Sequence, residues 1–143
     1  MKRMSNQDWL LLVIKNARAG GLTPVQLQKG LFLLGKGVKK AVDYHFVPYN
    51  YGPFAKEIYS DAEFLQACGL VDIARPIGRR YDCYSITPGG LARAKELEKK
   101  IPPDIKEYLK KLVSVVQSLS FDQLLRAIYR KFPAFKVNSV FQE

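Results

Sequence analysis

Arg75, Arg79 and Arg80 fall in the run Arg75-Pro76-Ile77-Gly78-Arg79-Arg80, where turn-forming residues separate guanidinium groups. Planar guanidinium forks match phosphate oxygens, and each such contact to nucleic acid adds about one unit to the salt slope of binding. At a hairpin tip the same residues also serve simply to solvate an exposed sheet edge. Lys36, Lys39 and Lys40 gather at the end of an amphipathic segment. There they complement the negative end of a helix or contact phosphate. A third grouping carries no charge. Tyr44, Phe46, Tyr49, Tyr51 and Phe54 crowd around Gly52-Pro53, five aromatics in eleven residues, too dense for a solvated linker. These rings either pack the loop onto a core or, as Tyr49, Tyr51 and Phe54 with nearby Tyr59, present a surface that receives a protein partner.

Little else in the chain has the makings of catalysis. His45 is the only histidine, so a His-rich metal site is excluded and a Ser-His relay would rest on that single ring. Between Tyr44 and Phe46 it is expected to be packed or hydrogen-bonded. Cys68 and Cys83 lack metal-ligand spacing and the density of a disulfide scaffold, so both are expected as reduced structural thiols. Gly30, Gly35 and Gly37 match neither phosphate-binding glycine pattern. Asp61 and Glu63, two apart on a helix, face different directions. No enzyme activity, cofactor or metal is expected.

The elements that position these residues follow from pattern. With 143 residues, 48% of them hydrophobic and 25% charged, the chain has the size and composition of one globular domain. A core at about 5–100 and a helical extension at about 101–143 are expected. Ser5 with Asp8 forms a capping box before a helix with Trp9, Leu10, Val13, Ile14 and Ala17 at helical spacing, ended by Gly20-Gly21. Thr23-Pro24 caps a second helix along Leu27, Leu31 and Leu34, its end fraying between Leu34 and Val42. A short strand is read at 45–47. Pro53 is expected to start a third helix carrying Phe54, Ile58, Leu65 and Cys68 inward and stopping at Gly69. Alternation at 70–73 and 81–86 around the arginine run predicts a β-hairpin. Thr87-Pro88 starts a fourth helix; a fifth runs from about Asp104 with Ile105, Tyr108, Leu109, Leu112, Val115, Val116 and Leu119 in register, and Ser120 caps a sixth. Phe135 and Phe141 indicate that the tail lies against something.

Three helices, an arginine-tipped hairpin and a helix leaving it make the layout of a winged helix-turn-helix, here with two added C-terminal helices. The net charge of +10 favours an anionic partner. The third helix fits a DNA groove badly: across 53–69, Lys56 against Glu57, Asp61 and Glu63 leaves 1 − 3 = −2. The first reading is therefore a non-enzymatic regulatory module that contacts nucleic-acid backbone, weakly specific, through Arg75, Arg79 and Arg80 with Lys36, Lys39 and Lys40. The second is a protein-interaction module using the aromatic connector. The basic start Met1-Lys2-Arg3-Met4 precedes Ser5-Asn6-Gln7-Asp8 rather than an apolar stretch, and the apolar run at 9–14 is too short to span a bilayer, so a cytoplasmic protein with no membrane partner is expected. The apolar stripe of the fifth helix suits either a homodimer or the cover of a monomer's core.

Leu22-Thr23-Pro24-Val25-Gln26-Leu27-Gln28-Lys29, Tyr51-Gly52-Pro53-Phe54 with Ile58-Tyr59, Leu65 with Gly69-Leu70-Val71, and Leu124-Leu125, Ile128-Tyr129 and Phe132-Pro133 together resemble the SocA-like or Panacea domain of bacterial and phage toxin–antitoxin systems and the related YwgA-like proteins. The resemblance covers about residues 5–135. Gly30 stands where that pattern places a large apolar residue. The resemblance implies an intracellular, non-enzymatic module with the Tyr-Gly-Pro turn in its scaffold, acting as an antitoxin on a toxin-like partner through protein contact.

Overall fold

The computed structural model describes residues 4–141; the basic start at 1–3 lies outside them. Helix α1 (Asn6–Lys15) begins at the Ser5/Asp8 capping box and ends at Asn16, short of the expected Gly20-Gly21 stop. All six residues from Trp9 to Ile14 are buried. A helix apolar on every side belongs inside, and α1 packs against α2 (Pro24–Gly37), α3 (Glu57–Ala67), α4 (Pro88–Glu98) and α5 (Pro103–Ser118). Gly30 of α2 lies buried at the crossing with α1, where an added Cβ would meet Val13 at 3.7 Å, an ordinary van der Waals contact.

Helix α2 starts on the Thr23/Gln26 capping box with Pro24 in its first turn. Its entry is fixed by Gly21 (φ +80°), where a side chain would overlap the Tyr84 carbonyl. This close approach lets Leu22 and Tyr84 exchange backbone hydrogen bonds of 2.9 Å, tying the start of α2 to the second hairpin.

That hairpin is β3 (Val71–Ala74) with β4 (Cys83–Ile86), antiparallel, Val71 opposite Ile86 and Ala74 opposite Cys83. The arginine run forms its loop, as the alternation predicts. The connector departs from expectation. Strands β1 (Val47–Tyr49) and β2 (Gly52–Phe54) form a separate antiparallel pair, Pro48 opposite Pro53. Gly52-Pro53-Phe54 is therefore extended, and α3 starts only at Glu57. Phe54 lies on a strand, and Cys68 is the exposed C-cap of α3 rather than a core residue.

Helix α4 takes its expected Thr87 cap, and α6 (Phe121–Lys131) starts on a Ser120/Gln123 capping box. Helix α5 buries Leu109, Val113 and Val116, whereas Val115, expected inward, is 55% exposed. Its apolar stripe covers the chain's own core. A second cluster closes around Phe32 from Val116, Leu124, Leu125, Ile128 and Tyr129. The tail makes one 3-10 turn (Pro133–Lys136) and returns to the first hairpin, where the Val140 N–H donates to the Asn50 carbonyl at 2.9 Å. The fold is thus mainly helical with two small antiparallel hairpins. No helix of the described residues is long and apolar enough to cross a membrane.

Candidate functional site

Two polar residues are buried on α2, and both hold the first hairpin. Gln28, 1% exposed, mimics a strand: the Ala55 N–H donates to its Oε1 at 2.9 Å and its Nε2 donates to the Ala55 carbonyl at 2.9 Å. Lys29, 3% exposed, donates from Nζ to the Pro53 carbonyl at 3.0 Å. These contacts satisfy the Pro53 and Ala55 carbonyls and the Ala55 N–H in the non-helical segment that stands where a helix start was expected. Burial lowers the Lys29 ammonium to about 8.

Over Lys29 sits a pocket of about 120 Å3 lined by Tyr49, Tyr51, Gly52, Phe54 and Tyr59, with Val25 and Gln28. Tyr49 stacks on Phe54 with centroids 4.8 Å apart, and Phe54 tilts against Tyr59 at 5.9 Å. Tyr49 and Tyr51 remain 50% and 44% exposed, so the rim faces solvent. The Tyr59 hydroxyl is pushed up by burial, opposed by its hydrogen bond with Gln28. The four aromatics expected as a partner surface thus converge on one pocket. The other two rings of the connector are structural: the Tyr44 hydroxyl donates to Asp61 at 2.6 Å, and Phe46 packs edge-on to Phe32 at 5.3 Å. Burial, then the hydrogen bond and negative charge of Asp61, push the Tyr44 phenol far up.

A larger cleft of about 540 Å3 adjoins this pocket, with Val25 lining both. Thr23, Pro24 and Gln26 of the α2 start, Tyr81, Leu119, Phe121 and Leu124 form its walls. Tyr51 links the two, its ring edge-on to Phe121 at 5.3 Å.

The expected phosphate-binding cations do not gather. Arg75 pairs with Asp82 at 3.4 Å, and Arg79 lies 5.8 Å over the Tyr81 ring while donating to its hydroxyl at 3.3 Å. Arg79 and Arg80 are exposed and pair with no acid among the described residues, and Ile77 between them and Arg75 is fully exposed. Lys36 sits 5.5 Å over Phe32 and 5.6 Å over Phe132, while Lys39 and Lys40 are exposed just beyond α2. Tyr81 adjoins the first turn of α2 and Lys36 its last, so a helix of that length holds the two groups roughly 20 Å apart. Phe121, at the start of α6, lines the cleft with Tyr81, and Phe132, at its end, lies under Lys36.

No protein-family model matches the chain, and no curated protein sequence matches it significantly.

His45 is exposed, both cysteines are free, and among the described residues no three His, Cys, Asp or Glu side chains are placed to hold a metal ion. Sequence reasoning assigned no role to Gln28 and Lys29. The signal was there: Lys29 falls in a row with Val25, Phe32 and Leu33, where an apolar residue is expected.

Proposed function

We propose that this chain is a non-enzymatic protein-interaction module of the antitoxin kind, acting in the cytoplasm by taking a segment of a toxin-like partner across the aromatic pocket and its adjoining cleft. One observation carries the reading: Tyr49, Tyr51, Phe54 and Tyr59, drawn from two strands, their turn and a helix, converge on one pocket whose rim is half-exposed. Exposed tyrosines around a concave, mostly apolar site are the usual anchors of protein contacts. The resemblance to Panacea domains, carried by residues of α2 and the first hairpin, supports the same direction. Co-expression with the toxin-like product of a neighbouring gene tests it: growth is restored and the two proteins copurify, whereas Tyr49→Ser with Tyr51→Ser abolishes both effects. Copurification unchanged in that double variant would refute the reading.

A second reading rests on the exposed Arg79 and Arg80, which pair with no acid among the described residues, beside the exposed Ile77. A hairpin that follows α3 has the place of a wing in a winged helix, and cations flanking an apolar tip suit phosphates and the minor groove. Helix α3 itself carries Glu57, Asp61 and Glu63 and no base, so the contact would be made by the loop alone. Binding to generic duplex DNA that weakens steeply with salt, with a slope about two units smaller after Arg79→Ala and Arg80→Ala, is its expected signature.

A further inference from the structure

Lys29 brings three N–H donors into the protein and, among the described residues, donates to the Pro53 carbonyl. Among the described residues no carboxylate lies within ion-pair distance of it. A desolvated ammonium in this condition has given up water without gaining a counter-charge. Its stem passes beneath Gly52, where an added Cβ would lie 3.7 Å from Lys29 Cε and 3.3 Å from Tyr129. Among the described residues, the other titratable side chains around it, Tyr49, Tyr51 and Tyr59 in the pocket wall and Tyr129 across Gly52, are phenols.

Charge and size limit what the pocket accepts. A cation in the lining calls for an anion, and about 120 Å3 beside aromatic rings admits a small one. Phosphate oxygens call for several converging donors, and no arginine lines this pocket. A carboxylate is planar, has an apolar stem suited to the rings and is matched by a single ammonium. We infer that Lys29 is a carboxylate anchor, taking an aspartate or glutamate side chain of the partner segment that docks on the aromatic rim. The source of that side chain rests on the interaction reading above; the anion site itself does not. An incoming carboxylate would supply the missing counter-charge and make Lys29 hold its proton more tightly.

The full-length chain with 13C-labelled lysine is titrated with sodium acetate and with N-acetylglutamate amide, against sodium chloride of equal ionic strength and inorganic phosphate. Expected is a saturable shift of the Lys29 Cε resonance by both carboxylates, with the Lys29 titration midpoint moved up by about one pH unit or more, equivalent to tenfold tighter proton binding. Tyr49 and Tyr51 ring signals shift with the same affinity in wild type. In Lys29→Met, with its fold checked by circular dichroism, that ring response falls at least about tenfold. No Lys29 response to acetate, an equal response to chloride or phosphate, or ring shifts unchanged in Lys29→Met would overturn the assignment. Acetate binding at Lys29 with toxin copurification surviving Tyr49→Ser and Tyr51→Ser supports the anion site and removes the interaction reading. The reverse pattern removes the anion site alone.

Discussion

At the scale of the residue, Gln28 and Lys29 are two polar groups buried on one apolar helix with opposite effects on stability. Gln28 bonds both backbone groups of Ala55, so Gln28→Ala leaves a buried N–H unpaired and the Ala55 carbonyl with only its bond from the Ile58 N–H at 3.2 Å. Its expected cost is about 1–3 kcal/mol, read as a lowered urea midpoint with unchanged slope. Lys29 acts in the opposite sense. Its folded pKa, about 8, lies below the value of 10.5 that the free side chain has. Between those values the unfolded chain binds more protons, so stability rises with pH through that window and the burial penalty is full below pH 8. Lys29→Met removes this titration. The urea midpoint of the wild type is expected to rise from pH 7.5 to about pH 9.5, and that of Lys29→Met to stay nearly level over the same interval. A wild type that is equally flat would place the ammonium in contact with water. The Gln28 role was not legible beforehand, because Gln28 meets Ala55 across 27 positions and nothing local records that pairing, whereas the burial of Lys29 was marked by its place in an apolar row.

At the scale of the element, local chemistry was a good guide wherever an element's ends are decided locally. Ser5 with Asp8, Thr23 with Gln26, Thr87 before Pro88 and Ser120 each cap the helix expected of them, because the cap is made three residues away. The second hairpin followed from alternation for the same reason. The first hairpin was missed. Pro53 has the local form of a helix start, yet its carbonyl is taken by Lys29, the backbone of Ala55 by Gln28, and its own strand by β1. The decision lies with α2, 24 or more positions earlier. Gly52 is the residue on which this outcome turns, at φ +88° with Tyr129 beside the position a Cβ would occupy. Gly52→Ala is expected to destabilise the chain by about 1–3 kcal/mol in thermal melts and to displace Tyr49 and Tyr51 from their ring contacts. Gly20→Ala, also at positive φ but with open space around it, is expected to cost less, and the difference between the two reports the packing against Tyr129.

At the scale of the whole molecule, the C-terminal helices complete a core and a site that the first hundred residues begin. Leu109 and Val113 of α5 join the cluster centred on α1, while Val116, Leu124, Leu125, Ile128 and Tyr129 close over Phe32. Leu119, Phe121 and Leu124 form one wall of the cleft beside the aromatic pocket. The sequence left open whether the stripe of α5 serves a dimer or a monomer's core, because an apolar stripe looks the same in both; its burial within the chain answers for Leu109, Val113 and Val116. A chain ended at Lys100 would lose eight buried residues from those two clusters, Ile101 among them, each contributing about 1.5–3 kcal/mol when fully buried, against a total stability of roughly 5–15 kcal/mol for a domain of ordinary size. The sum lost is as large as the whole stability of such a domain, and Phe32 would lose the side chains that close over it. The truncated chain is therefore expected in the insoluble fraction, or unfolded by circular dichroism where detergent or low temperature keeps it in solution. Were α5 and α6 an appendage for pairing two copies, the same truncation would yield a soluble, folded monomer, a result that sedimentation would show at once.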